Sequence, residues 1–311
     1  MGQTGGFVAA GCILCSVMNP DQQPFEPTDR AGLDPADRAS LARAVGLLEK
    51  NSFVTTLARM AGRPVNAVVA SLPPVVGETI LKASKNAILQ CLKFAVKPRG
   101  PRNLIAIAGR HPALVSGIAG AVGGFAGAAG LLVELPITTV VMFQAITRIA
   151  AAEGEDVSRP EVRLACLEVF ALSTDGRGPA TLESGYYAAR SVLAKSTDEA
   201  ANYVLRRSTS LEAGPAVVRM VSAIAPRFGL LVSQELAAAA IPIIGAATGS
   251  SLNIAFVQHF NNIARGHFAV RSLERKYGET RIREEFERMS LGAENSRRIA
   301  RGEMALGDGR K

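Results

Sequence analysis

From Pro112 to Val133 the chain runs for 22 residues without a charge, and past the lone carboxylate of Glu134 it runs uncharged again from Leu135 to Thr147. A second stretch, residues 229–256, carries Glu235 as its only formal charge. Such lengths approach the roughly 20 apolar residues that cross a bilayer. The chain must therefore cover them in a large core or place them in lipid. Both stretches are built mainly from Gly, Ala, Leu, Val and Ile, and the whole chain has no Trp. That vocabulary favours helices with thin side chains. Gly120 and Gly124, Gly123 and Gly127, and Gly245 and Gly249 stand four apart, which lines one helix face with small residues and lets a second backbone come close. Pro136 and Pro242 each lack an amide donor and push the preceding residue away from α geometry. Both stretches are thus expected to break there into hairpins, with Asn253 hydrogen bonding between helices. Glu134 is expected to sit at the first break and accept from backbone N–H groups opening the next helix.

The rest of the chain is ordinarily amphipathic. Residues 19–35 hold four prolines and read as an extended linker, so 1–35 is expected to be a flexible N-terminal segment. A single helical domain is expected over 36–288 and a charged tail over 289–311. Asp34 is a candidate N-cap with Pro35 at the first helical position, and Leu41, Ala44, Val45 and Leu48 share one face. Further helices are expected over 51–60, from Ser158 to Leu172, and over 181–195, 197–207 and 214–225. No segment alternates as a strand does. The expected fold is an all-α multi-helix bundle with the two Gly/Ala-rich hairpins packed centrally.

Net charge is +8, unevenly placed. Between Leu81 and Arg110 lie Lys82, Lys85, Lys93, Lys97, Arg99, Arg102 and Arg110, with no acid. On the helix expected over 75–97 the lysines fall in one stripe, as on a helix lying in a membrane interface and equally as on a surface helix of a basic protein. Anionic lipid is the partner this predicts, with a membrane protein as a second. Nucleic acid is disfavoured, since no recognised module is present and the apolar stretches would go unexplained.

The runs GAAGLLVELPITTVVMFQAITRIAAAEGEDVSRPEVRLACLEVFAL and AIPIIGAATGSSLNIAFVQHFNNIARGHFAVRSLERKYG resemble the EcsC family of bacterial proteins. The resemblance implies an all-α, membrane-linked protein of binding or structural type on the cytoplasmic side of the inner membrane, peripheral or partly inserted, with a link to transport or secretion. It implies no defined active site.

Motifs for established chemistry are missing. There is no H-E-x-x-H, G-x-S-x-G or Walker loop. Cys12 and Cys15 form a lone C-x-x-C without a second pair, so neither a metal nor a cofactor is expected. The four cysteines are too scattered for a disulfide framework, which fits a reducing compartment. AAGC at 9–12 partly matches a lipoprotein signal ending at Cys12, but only eight residues precede it and none is basic. Should the chain be an enzyme, a membrane-proximal hydrolase or peptidase, its acid or base would come from Glu134, Glu235, His259 or His267, polar groups set in or beside apolar segments.

Overall fold

The computed structural model describes residues 32–49, 53, 56–57, 69–70, 72–96, 126–172, 185–206, 214–239 and 242–300. Side chains are described over these except at 126–134, 205, 239, 242–253 and 293–300. The unit considered is Leu33–Lys311. Eight helices are described: α1 (Pro35–Glu49), α2 (Pro74–Val96), α3 (Ala126–Ala152), α4 (Pro160–Glu168), α5 (Gly185–Arg206), α6 (Pro215–Ala239), α7 (Pro242–Tyr277) and α8 (Glu279–Ala300). Among the described residues there is no strand, and the fold is an all-α bundle.

α1 begins as its sequence demands. Asp34 Oδ1 accepts from the amide of Ala36 at 2.8 Å, satisfying a donor the first turn leaves free. Leu41, Ala44, Val45 and Leu48 are all buried, and they pack mainly on α7. The approach is close enough to need a glycine. A Cβ on Gly266 would stand 2.7 Å from Leu48 Cγ and 3.3 Å from the carbonyl oxygen of Ala44. Asp37, in the first turn of α1, accepts from Lys276 Nζ and from the Tyr277 hydroxyl, both at 2.6 Å. These bonds tie it to the end of α7.

The lysine stripe of α2 is exposed at Lys82 and Lys85 and half-buried at Lys93. Its apolar face, including Ile80, Ala87, Ile88 and Leu92, is covered by protein, chiefly α3 and α6. The C-terminal end of α2 is held by Arg163, whose Nε donates to the carbonyl of Ala95 and whose Nη1 donates to those of Val157 and Ser158 at 2.7 and 2.6 Å. One side chain thus joins α2 to the loop between α3 and α4.

Two expected interruptions are absent. α3 passes unbroken through Pro136 and α6 through Pro226. A proline inside a helix forfeits a hydrogen bond and crowds the preceding turn, at about 3 kcal/mol. Packing on both sides offsets this. Leu135, Val140 and Met142 are buried around Pro136, and Ile224, Ala225 and Phe228 around Pro226, where each large side chain is worth roughly 1.5–3 kcal/mol. Glu134 therefore lies within a continuous helix rather than at a helix start. The expected break between 195 and 197 is also absent, and α5 is one helix. Ser196 is accommodated by donating back to the carbonyl of Leu193 at 2.8 Å. Pro242 does open a new helix, α7, as its sequence predicts.

The core centres on aromatic rings. Phe228 of α6, Phe256 and Phe260 of α7 and Phe170, just past α4, lie with centroids 5.1–6.2 Å apart, spacing typical of edge and tilted ring packing. Phe53 joins at 5.5 Å from Phe256. α7 then turns sharply into α8 at Gly278, whose φ of 90° suits a residue without Cβ and whose amide reaches the carbonyl of Glu274 at 2.9 Å. α8 runs on to Ala300, across the tail boundary expected at 289.

Candidate functional site

α4, α5, the end of α7 and the start of α8 enclose a cleft of about 500 Å³. Helical spacing explains its lining. Glu161, Ala165 and Glu168 fall on one stripe of α4, and Arg190, Ala194, Thr197 and Ala201 on one stripe of α5. The alanines keep the two helix faces short, and the room between them is what the cleft occupies. Arg271 enters from α7 and Arg283 from α8.

The cationic wall is firmly paired. Arg190 donates to Glu274 through Nη1 at 2.7 Å and Nη2 at 2.8 Å, a two-pronged contact between side chains 17% and 8% exposed. The Tyr187 hydroxyl adds a bond to Glu274 at 3.0 Å. Behind Arg190, the Tyr186 hydroxyl stands 2.9 Å from His267 Nδ1. Arg271 donates through Nε to Glu155 at 2.7 Å, and Arg275 donates to the same carboxylate. Burial pushes Glu155 upward, but the bonds and charges of Arg271 and Arg275 outweigh it and hold its pKa below the ordinary carboxylate value.

Glu168 behaves oppositely. It is 5% exposed, and burial raises its pKa above the usual range although Thr197, Arg271 and Arg190 all pull it down. The cleft thus presents a carboxyl group that binds its proton more tightly than an exposed glutamate. The Cys166 thiol nearby in sequence is buried and pushed up to about 12, so it is an inert core thiol. Among the described residues no group of three or more His, Cys, Asp or Glu is placed to hold a metal ion.

The residues singled out from sequence fall elsewhere. His259 lies 6% exposed against the rings of Phe53 and Phe260, 5.2 and 5.4 Å away, and burial lowers its pKa to about 4. It is a neutral core imidazole at pH 7. His267 is fully buried and likewise held well below its ordinary value by burial, then by Arg190 and Arg271. It does not line the cleft, and its Nδ1 meets the Tyr186 hydroxyl behind Arg190. Glu235 is buried on α6 and does not line the cleft. The side chains of Glu134 and Asn253 lie outside the described ones. Of the cationic set, Lys97, Arg99, Arg102 and Arg110 lie outside the described residues, as do Gly120, Gly123, Gly124, Cys12 and Cys15. Gly127 falls in α3, and Gly245 and Gly249 in the first turns of α7.

Among the described residues two helices are long and apolar enough to cross a membrane, over Leu135–Ala152 and Pro215–Ala238, with mean hydropathy 1.4 and 1.5. Of the first, 39% is buried inside the protein, and of the second 56%. α6 has the larger buried share, and each leaves apolar side chains open, Val141 of α3 at 47% and Val218 and Leu230 of α6 at 51% and 47%.

No curated protein and no solved structure matches the sequence. The family model described as the EcsC protein family matches residues 102–273, which includes Glu155, Glu168, Arg190, His267 and Arg271. With more than half of its length matched, and with an all-α bundle built around that stretch, the chain belongs to the EcsC protein family.

Proposed function

We propose that the protein is a membrane-docked helical binding protein: the exposed side of α3 around Val141 meets lipid on the cytoplasmic face of the membrane, and the charged cleft stays in water. The observation that carries this is the incomplete cover of α3. Its apolar window is only 39% buried, whereas a helix of that composition in the centre of a soluble core is enclosed on most sides. Polarity along the bundle supports the same reading. The C-terminal ends of α3 and α7 meet where Arg271 and Arg275 hold Glu155. At 1.5 Å per residue, the start of α3 lies about 40 Å back along its axis from that charged end. The exposed Lys82 and Lys85 of α2 add cationic surface, each worth roughly 1 kcal/mol near an anionic membrane. The basic residues from Lys97 to Arg110 extend it in sequence. A link to transport or secretion would then run through a membrane-protein partner.

Flotation of the purified chain with phosphatidylglycerol-containing liposomes tests the proposal. Co-flotation that survives alkaline carbonate is expected if the apolar segments insert. Loss in high salt would assign docking to the lysines alone, and no flotation under any condition would overturn the membrane reading.

A further inference from the structure

We propose that the cleft between α4 and α5 binds a small organic cation through the N–H groups of an alkylammonium. The inference rests on which polar atoms of the cleft are still open. Arg190 is held on both prongs by Glu274, and Arg271 by Glu155. Arg283 pairs with Glu287, and Arg159 stands 63% exposed at the rim, so the buried polar atoms that remain are acceptors. Glu161 Oε2 is buried without a hydrogen-bond partner, its nearest cation being Arg159 Nε at 3.7 Å. Thr197 is 5% exposed, with its hydroxyl turned to the Glu168 carboxylate that it helps to ionise, which leaves the lone pairs of Oγ1 to accept. Glu168, itself 5% exposed, is part of the same cleft wall, and the exposed Asp198 also lines the cleft.

Buried acceptors without donors are costly, because they have given up water for nothing. A ligand that brings N–H groups removes that cost, and one that brings oxygen atoms does not. An anion reaching the inner wall would have to take Arg190 or Arg271 from its carboxylate first, and the exposed Arg159 could hold one only at the rim. The acids also do not gather as a metal-ligand set. An extended amine fits the remaining requirements: nitrogen atoms for Glu161, Glu168 and Asp198, and methylenes against Ala165 and Ala194. About 500 Å³ is small-molecule size. The raised proton affinity of Glu168 agrees with a site awaiting a cation, because an ammonium alongside would return that carboxyl to its ionised form.

Calorimetric titration of the full chain with spermidine and with putrescine tests this, alongside Glu168→Gln, Thr197→Val and the exposed control Glu284→Gln on α8, with circular dichroism to confirm folding. Glu168→Gln replaces a carboxyl by an amide of the same shape, so the fold is expected to persist. Saturable amine binding that weakens at least tenfold in Glu168→Gln, several-fold in Thr197→Val and not at all in Glu284→Gln is the expected result. Binding unaffected by Glu168→Gln would mean general attraction to surface acids and would overturn the site. So would the absence of binding at millimolar amine, or tighter binding of inorganic phosphate than of spermidine.

Discussion

Glu274→Gln removes the charge that faces Arg190 while keeping the size of the side chain. Arg190 would then be a guanidinium 17% exposed, left with the Tyr186 hydroxyl at 3.5 Å and the Tyr187 ring at 5.9 Å. Neither contact neutralises it. Breaking one side of a buried pair typically destabilises by roughly 3–5 kcal/mol, because the remaining charge has lost its water and its partner together. Tyr187 loses a strong acceptor as well. For a chain of 311 residues a loss of that order lowers the Tm by about 5–8 °C. Replacing both residues, Arg190→Met with Glu274→Leu, removes the charge and its partner at once and is expected to fall within about 1–2 kcal/mol of the parent. Urea unfolding followed by circular dichroism, on all three proteins at pH 7, reads the difference. The reasoning is refuted if the single variant matches the parent, or if the double variant is the less stable of the two.

Gly266→Ala should destabilise by about 1–3 kcal/mol despite the higher helix propensity of alanine, because its Cβ meets Leu48 Cγ at 2.7 Å with the Ala44 carbonyl behind. A companion Leu48→Ala in the same denaturation series should recover part of that loss. His259→Phe should remove an acid sensitivity. The folded pKa of about 4 lies below the ordinary 6.5, so the stability held by the neutral ring is fully present above pH 6.5 and is lost as pH falls towards 4. At full protonation that is on the order of 3 kcal/mol, and the variant's midpoint should change less across pH 6.5–4 than the parent's. For Glu155 the sign is that of a stabilised carboxylate. Its folded pKa is lowered by Arg271 and Arg275, so its contribution is present above the unfolded pKa near 4.5 and lost as pH falls below it. Glu155→Gln should therefore be less stable than the parent at pH 7 and approach it at pH 3.

The helical periodicity of α1 and α2 was legible because each buries a single face: Leu41, Ala44, Val45 and Leu48 follow the period, and the Asp34 cap precedes them. Pro242 was legible because the first position of a helix is where a residue without an amide donor loses no bond. Pro136, and the helix end expected at 225 ahead of Pro226, were misread for the complementary reason. Local backbone chemistry favours a break at both, and burial of the flanking side chains, set by helices far away in sequence, outweighs it. The charged cleft was not legible at all. Arg190 and Glu274 are 84 residues apart, and Glu155 is 116 from Arg271, so each alone resembles a solvated charge on a helix surface. A local signal did exist in LACLEVFAL, where Glu168 stands inside an apolar run much as Glu134 does. The histidines drew attention as polar groups beside apolar segments, yet His259 is simply part of the aromatic core.

The central claim, that α3 faces lipid while the cleft end stays in water, is tested most directly by a single tryptophan in a chain that has none. Val141→Trp places the reporter on the exposed side of α3, and Leu291→Trp places it on the exposed side of α8. With anionic vesicles containing brominated acyl chains, the account predicts blue-shifted, strongly quenched emission from position 141 and unshifted, unquenched emission from position 291. Unquenched emission from position 141 in vesicles that bind the protein would contradict it.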